Sequence, residues 1–226
     1  MSTFVLNKMM KIAIVAATEP EINGIKDSLN AEELQHVDFI VTGVGMINTC
    51  FELTKASIEK TYNYVINVGI AGSFERNINI GEVVWVKREL FAEMGAEDGD
   101  EFLSLIQLGL QSHDEFPFEW GELKAATLPE INSLSELRQV RGITVNKVHG
   151  NEQSIMKTKL EFSPQVESME GAAVFYVCLK QGIPCIQIRS ISNYVERRNR
   201  EAWNIPLALK NLQQHTVQVL KELLHS

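Results

Sequence analysis

Two glutamates and an asparagine stand where a side chain can do chemistry rather than pack. Glu21 follows Thr18 by three residues, the spacing of a capping box whose carboxylate reaches back to a backbone N–H. A carboxylate there that keeps one oxygen free can also take a proton. Glu170 stands at a helix start, where any acidic residue gains from the dipole. Asn193 closes the run Ile188-Arg189-Ser190-Ile191-Ser192-Asn193. It suits a strand-end turn, or a pairing in which its carbonyl accepts and its NH₂ donates.

Two glycine clusters, Gly43-Val44-Gly45 and Asn67-Val68-Gly69-Ile70-Ala71-Gly72-Ser73, each follow a β-branched run. Either could let backbone approach a flat ligand, or simply form a turn. Asn48 stands three residues beyond Gly45, so the dinucleotide fingerprint is incomplete and no nicotinamide cofactor is expected. His149 with Glu152, and His113 with Glu115, lack helical HExxH spacing and a third ligand, so no metal is expected either. The run Glu196-Arg197-Arg198-Asn199-Arg200-Glu201 reads as a solvated loop whose arginines grip a carboxylate only if they face a pocket.

These residues need a scaffold of strands and helices. Lys11 to Ala17 reads as a short buried strand, and Thr18-Glu19-Pro20-Glu21 as the start of a helix. Val37 to Val44 and Tyr64 to Val68 repeat the strand pattern around an amphipathic helix, Met46 to Lys60. Glu82 to Leu90, Ile143 to Val148 and Pro184 to Ser192 add strands, while Met169 to Gln181 reads as a buried helix. The last helix carries the stripe Ile205, Leu209, Leu212, Val219 and Leu223, with Asn204 as its cap and Pro206 in its first turn. This grammar predicts an α/β fold of three α/β/α layers around a central sheet, in one domain over residues 11–226 after an N-terminal extension of residues 1–10. Residues 91–128 break the pattern with exposed aromatics, which suits a lid or a subunit contact.

Bulk properties narrow the partners. A net charge of −8 leaves no electrostatic footprint for nucleic acid or an anionic membrane. No apolar run approaches the roughly 20 residues of a membrane span, and the first ten residues lack a secretory pattern, so a cytoplasmic protein is expected. Cys50, Cys178 and Cys185 lack CxxC spacing and read as buried free thiols.

The stretch Val166-Glu167-Ser168-Met169-Glu170-Gly171-Ala172-Ala173, with Ile188 to Asn193 some twenty residues on, resembles the nucleoside phosphorylase and nucleosidase superfamily. That resemblance implies a phosphorylase/hydrolase-like fold with a mixed sheet, a purine nucleoside as small-molecule substrate, no cofactor and a homodimer. It makes Glu21 the water-activating base and Glu170 the ligand of the sugar hydroxyls. Met169 would pack on the ribose face, Ile70, Ala71 and Gly72 would line the base and ribose, and Asn193 would steady the departing purine. Adenosine-type nucleosidases place an aspartate where this chain has Asn193. An amide there can accept from a protonated N7 and donate to O6, which favours hypoxanthine or guanine over adenine by about 1–3 kcal/mol. No arginine precedes Arg76, so the first strand-to-helix turn lacks the cation a phosphate would need, and hydrolysis is preferred to phosphorolysis. Within the superfamily the combination is most similar to the futalosine hydrolases.

Overall fold

Every residue of the first strand, β1 (Ile12–Ala16), is buried. Its alternation sends Ile12, Ile14 and Ala16 into one apolar core and Ala13 and Val15 into another, as a strand covered on both faces requires. The computed structural model describes residues 10–225; the extension expected over residues 1–10 lies, Met10 apart, outside the described residues. After β1 come α1 (Glu19–Lys26), α2 (Ala31–Gln35), β2 (Val37–Val41), α3 (Met46–Glu59), β3 (Tyr64–Ser73) and β4 (Val83–Phe91). A hairpin of β5 (Gly95–Asp98) and β6 (Glu101–Ser104) follows, then β7 (Leu123–Lys124), α4 (Asn132–Ser135), β8 (Arg138–Thr144) and α5 (Glu152–Phe162). The chain ends with β9 (Val166–Ser168), α6 (Gly171–Gln181), β10 (Cys185–Tyr194) and α7 (Ile205–Leu224).

The mixed sheet runs β10-β4-β8-β9-β3-β1-β2, and β10 also pairs with β3. Five strands therefore close into a circuit, with β1 and β2 extending from it as a flat wing. One side of β3 is paired with β10 along nearly its whole length. Its other side pairs with β1 up to Asn67 and with β9 from Gly72. Residues 68–71 thus lie at a fork where one strand has left and the next has not begun. α1 and α7 contribute Ile22, Ile25, Leu212, Val219 and Leu223 to one core. α3 and α6 contribute Leu53, Val174, Phe175 and Cys178 to the other, which completes the three layers.

Several boundaries differ from expectation. The second strand stops at Val41 because Gly43 and Gly45 turn the chain at φ 82° and 96°. The third does not end at Val68; the glycine cluster is itself strand, to Ser73. The strand expected over 143–148 lies at 138–144, because its register is set by pairing with β4 and β9. The last helix is as read: Asn204 accepts from Leu207 N, and Pro206 lies in the first turn. Cys178 and Cys185 are buried free thiols, but Cys50 is only half-buried. The aromatic segment after β4 packs Phe102 on Phe162 of α5 and Phe118 on Phe91 and Tyr176, leaving Phe116 and Trp120 exposed.

Candidate active site

The fork in β3 collects the chemistry. On the side away from β10, where none of the described strands pairs with it, Ile70 N–H donates to Glu21 Oε1 at 3.0 Å. Glu21 Oε2 accepts from Thr18 N at 3.0 Å and Thr18 Oγ1 at 2.7 Å. Capping therefore occupies one oxygen, while the other faces the fork and retains a lone pair. The two roles weighed for Glu21 are compatible.

Glu170 follows β9 and stands at the start of α6. It is 8% exposed, and its Oε1 accepts from Gly45 N at 2.9 Å. The positive φ of Gly45 aims that N–H, so the first glycine cluster serves a carboxylate 125 residues away. Burial raises the Glu170 carboxyl above the usual range, Arg189 and the Gly45 N–H oppose that, and the charge of Glu21 adds to it. The two glutamates are thus electrostatic neighbours. Met169, half-buried, links β9 to Glu170.

Asn193 reaches the same strand through a bulge. Ile191 pairs with Ala71 but Asn193 with Gly72, so Ser192 is the extra residue. Without it Asn193 would face the other side of the sheet. Its Oδ1 accepts from Ser192 Oγ at 2.8 Å and its Nδ2 donates to Tyr194 O at 3.0 Å, which leaves one lone pair and one hydrogen for a ligand. Around it, Gly72, Val148, His149, Glu167, Tyr194, Arg198 and Trp203 line a cavity of about 60 Å³. That is room for about two waters.

Arg189 is a candidate site residue that sequence reasoning passed over. It is 2% exposed, in a buried strand that alternates Ile186, Ile188 and Ile191 with Gln187, Ser190 and Ser192. Register sets it beside Gly69, where a Cβ would lie 2.1 Å from its Nη1 and 2.9 Å from Glu21 Oε1. Only glycine leaves room for this approach. Nε and Nη2 of Arg189 have no hydrogen-bond partner among the described residues, so they are donors available to a water or an anion. A charged residue inside a central strand expected to be buried was the signal that could have found it. It also corrects a premise: a cation does reach the first strand-to-helix turn, from late in the chain. Arg189 acts electrostatically on Glu89 and Glu170 and lies against Glu21, so the local balance remains negative and still disfavours a phosphate dianion.

Below the fork, buried Glu89 accepts from Gln187 Nε2 at 2.6 Å and Thr144 Oγ1 at 3.0 Å, and Thr144 in turn accepts Ala172 N of α6 at 2.7 Å. Burial pushes Glu89 from 4.5 up to about 7. A carboxyl raised on folding stabilises fully below its unfolded value, and that contribution is lost as pH rises through the folded value. The change is on the order of 3 kcal/mol here, between pH 4.5 and about 7. Wild-type melting temperature should therefore fall between pH 4.5 and about pH 7, and Glu89→Gln should flatten that fall. Parallel pH curves for the two proteins would rule the effect out.

The remaining candidates scatter. His149 pairs with Glu167 rather than Glu152, which begins α5, and His113 packs on Trp120. Of the three arginines, Arg198 lines the small cavity and stacks on Trp203, Arg197 faces a groove beside α5, and Arg200 opens a short 3-10 turn.

Comparison with known proteins agrees with this architecture. A family model described as the phosphorylase superfamily matches residues 11–225. A futalosine hydrolase of Acidothermus cellulolyticus is 26% identical over 224 residues, covering 92% of this chain and 88% of that protein. A 5'-methylthioadenosine/S-adenosylhomocysteine nucleosidase of Shewanella halifaxensis is 29% identical over 203 residues, with 81% and 86% covered. Among solved structures, such a nucleosidase from Colwellia psychrerythraea in complex with adenine superposes with a TM-score of 0.78 at 19% identity, covering 96% of both chains. The Helicobacter pylori futalosine hydrolase does so at 0.75 and 17% identity, covering 96% of this chain and 98% of that one.

Proposed function

The chain belongs to the phosphorylase superfamily, and from that premise we propose that it hydrolyses the N-glycosidic bond of a purine nucleoside. The substrate that fits best is futalosine, giving hypoxanthine and dehypoxanthine futalosine on a route to menaquinone. One observation carries the reading: Glu21, Arg189 and Glu170 converge at the fork of β3, and Asn193 reaches the same strand at Gly72.

In this mechanism Glu21 Oε1 takes a proton from a water that Arg189 helps to orient, and the oxygen attacks the anomeric carbon. Glu170 accepts from the vicinal hydroxyls of the ribose and stabilises the positive charge of the oxocarbenium-like state. Met169, Ile70, Ala71 and Gly72 line the ribose and base. The C1′–N9 bond breaks as the oxygen adds, its electron pair passes into the purine, and N7 takes a proton from solvent; Asn193 accepts from that N7–H and donates to O6 as hypoxanthine departs. Asn193→Asp should shift relative kcat/KM from inosine-like toward adenosine-like substrates by about 10–100-fold. An unchanged ratio would remove Asn193 as the selector.

A second reading, cleavage of methylthioadenosine or S-adenosylhomocysteine, is favoured by the Shewanella relative. Incubation with futalosine, methylthioadenosine and inosine, with and without phosphate, followed by identification of the freed base, separates the two. Release that requires phosphate would mark a phosphorylase, and no release a nucleoside-binding module.

A homodimer belongs to the same proposal. On α3, Ile47, Phe51 and Ile58 are 82%, 64% and 74% exposed along a groove of about 710 Å³. A patch of this kind marks an association surface. The helix begins beside Gly45, so a second copy there would cover the sugar end of the site. Light scattering at micromolar concentration should give twice the 25.5 kDa chain mass; a monomer would refute the pairing.

A further inference from the structure

We infer that Glu167 reads the base together with Asn193, by accepting the N1–H of a 6-oxopurine. This rests on the nucleosidase reading above. Gly72 of β3 is paired with Asn193 of β10 on one side and with Glu167 of β9 on the other. Residues in one row across neighbouring strands point to the same face, and Gly72 has no side chain to separate its neighbours. Both flank it, beside a methyl of Val195: a Cβ on Gly72 would lie 2.9 Å from Val195 Cγ2, 3.3 Å from Asn193 Nδ2 and 3.8 Å from Glu167 Cγ. Both side chains line the same small cavity.

Glu167 is held rather than free. It is 4% exposed; its Oε1 accepts from His149 N at 3.0 Å and its Oε2 from His149 Nδ1 at 2.6 Å. A carboxylate can only accept, so Nδ1 carries the hydrogen, and the other ring nitrogen meets Thr158 Oγ1 at 2.8 Å. This clamp fixes the carboxylate yet leaves each oxygen a lone pair. Along the edge of hypoxanthine, N7 and O6 are followed by N1–H, a donor. Asn193 serves the first two, and Glu167 stands across Gly72 to take the third. Adenine presents a lone pair at N1, which would face the carboxylate acceptor to acceptor. Discrimination then comes from two side chains, and the carboxylate supplies the repulsive half of it.

The test uses the unaltered protein with four bases, and one variant, with affinities measured by calorimetry. Hypoxanthine should bind at least about 100-fold more tightly than 1-methylhypoxanthine, which has no N1–H. 1-Deazaadenine, whose C–H replaces the N1 lone pair, should bind about tenfold more tightly than adenine, a gain that steric fit alone does not give. Glu167→Gln, whose amide can donate to adenine N1, should narrow the hypoxanthine-to-adenine ratio by at least about tenfold. If hypoxanthine binds but 1-deazaadenine gains nothing over adenine, Glu167 does not touch N1 and the inference falls alone. If hypoxanthine fails to bind while adenine binds, the 6-oxopurine reading falls as well.

Discussion

Glu21→Gln should lower kcat for base release by about 10²–10⁴-fold and leave the protein folded. The amide keeps the shape of the carboxylate but cannot take a proton from water. It also presents an NH₂ either to Thr18 or to Ile70 N–H, both of which donate to the native carboxylate. That mismatch costs about 1–3 kcal/mol, small enough for the chain to remain native at 25 °C. Single-turnover rates and thermal unfolding on the same preparation separate the two effects. Near-normal turnover in a folded variant would remove Glu21 as the base.

Glu170→Gln should lower kcat by about 10²–10³-fold, the scale seen when one group stabilising transition-state charge is removed. The amide oxygen can still accept from Gly45 N, so α3 and α6 stay as they are. What is lost is the negative charge beneath the sugar and an acceptor for its hydroxyls. A 2′-deoxynucleoside removes the same contact from the substrate side. Variant and deoxy substrate combined should therefore cost less than the product of their separate losses. Losses that multiply would place Glu170 away from the ribose hydroxyls.

Much of this arrangement was legible in the chain. Glu21 and Glu170 sit at strand-to-helix junctions that local patterning finds, and the buried β1, α6 and β10 announce themselves by apolar content. The rest depended on pairing. β9 is three residues long, too short for a period, yet it fixes Met169 and Glu170 against β3. The polar start of β8, Arg138 and Gln139, reads as loop until β4 supplies its partner. Arg189 and Glu167 were hidden for a related reason. Each lies inside an element, where the charge is explained only by tertiary partners: Arg189 by Gly69 and Glu21, more than a hundred positions away, and Glu167 by His149, which the fold brings back to β9.

The closed circuit of strands has a consequence for synthesis. β10 lies between β3 and β4, so the ring is sealed only by the penultimate element of the chain. Contacts such as Asn67 with Gln187 span 120 residues, and ordering of this kind is slow and comes late in folding. A ribosome-bound chain released before residue 185 would carry Glu21 and Glu170 but neither Arg189 nor Asn193. On the proposed mechanism the site is therefore completed only when β10 has been made, and a chain ending before it should release no base.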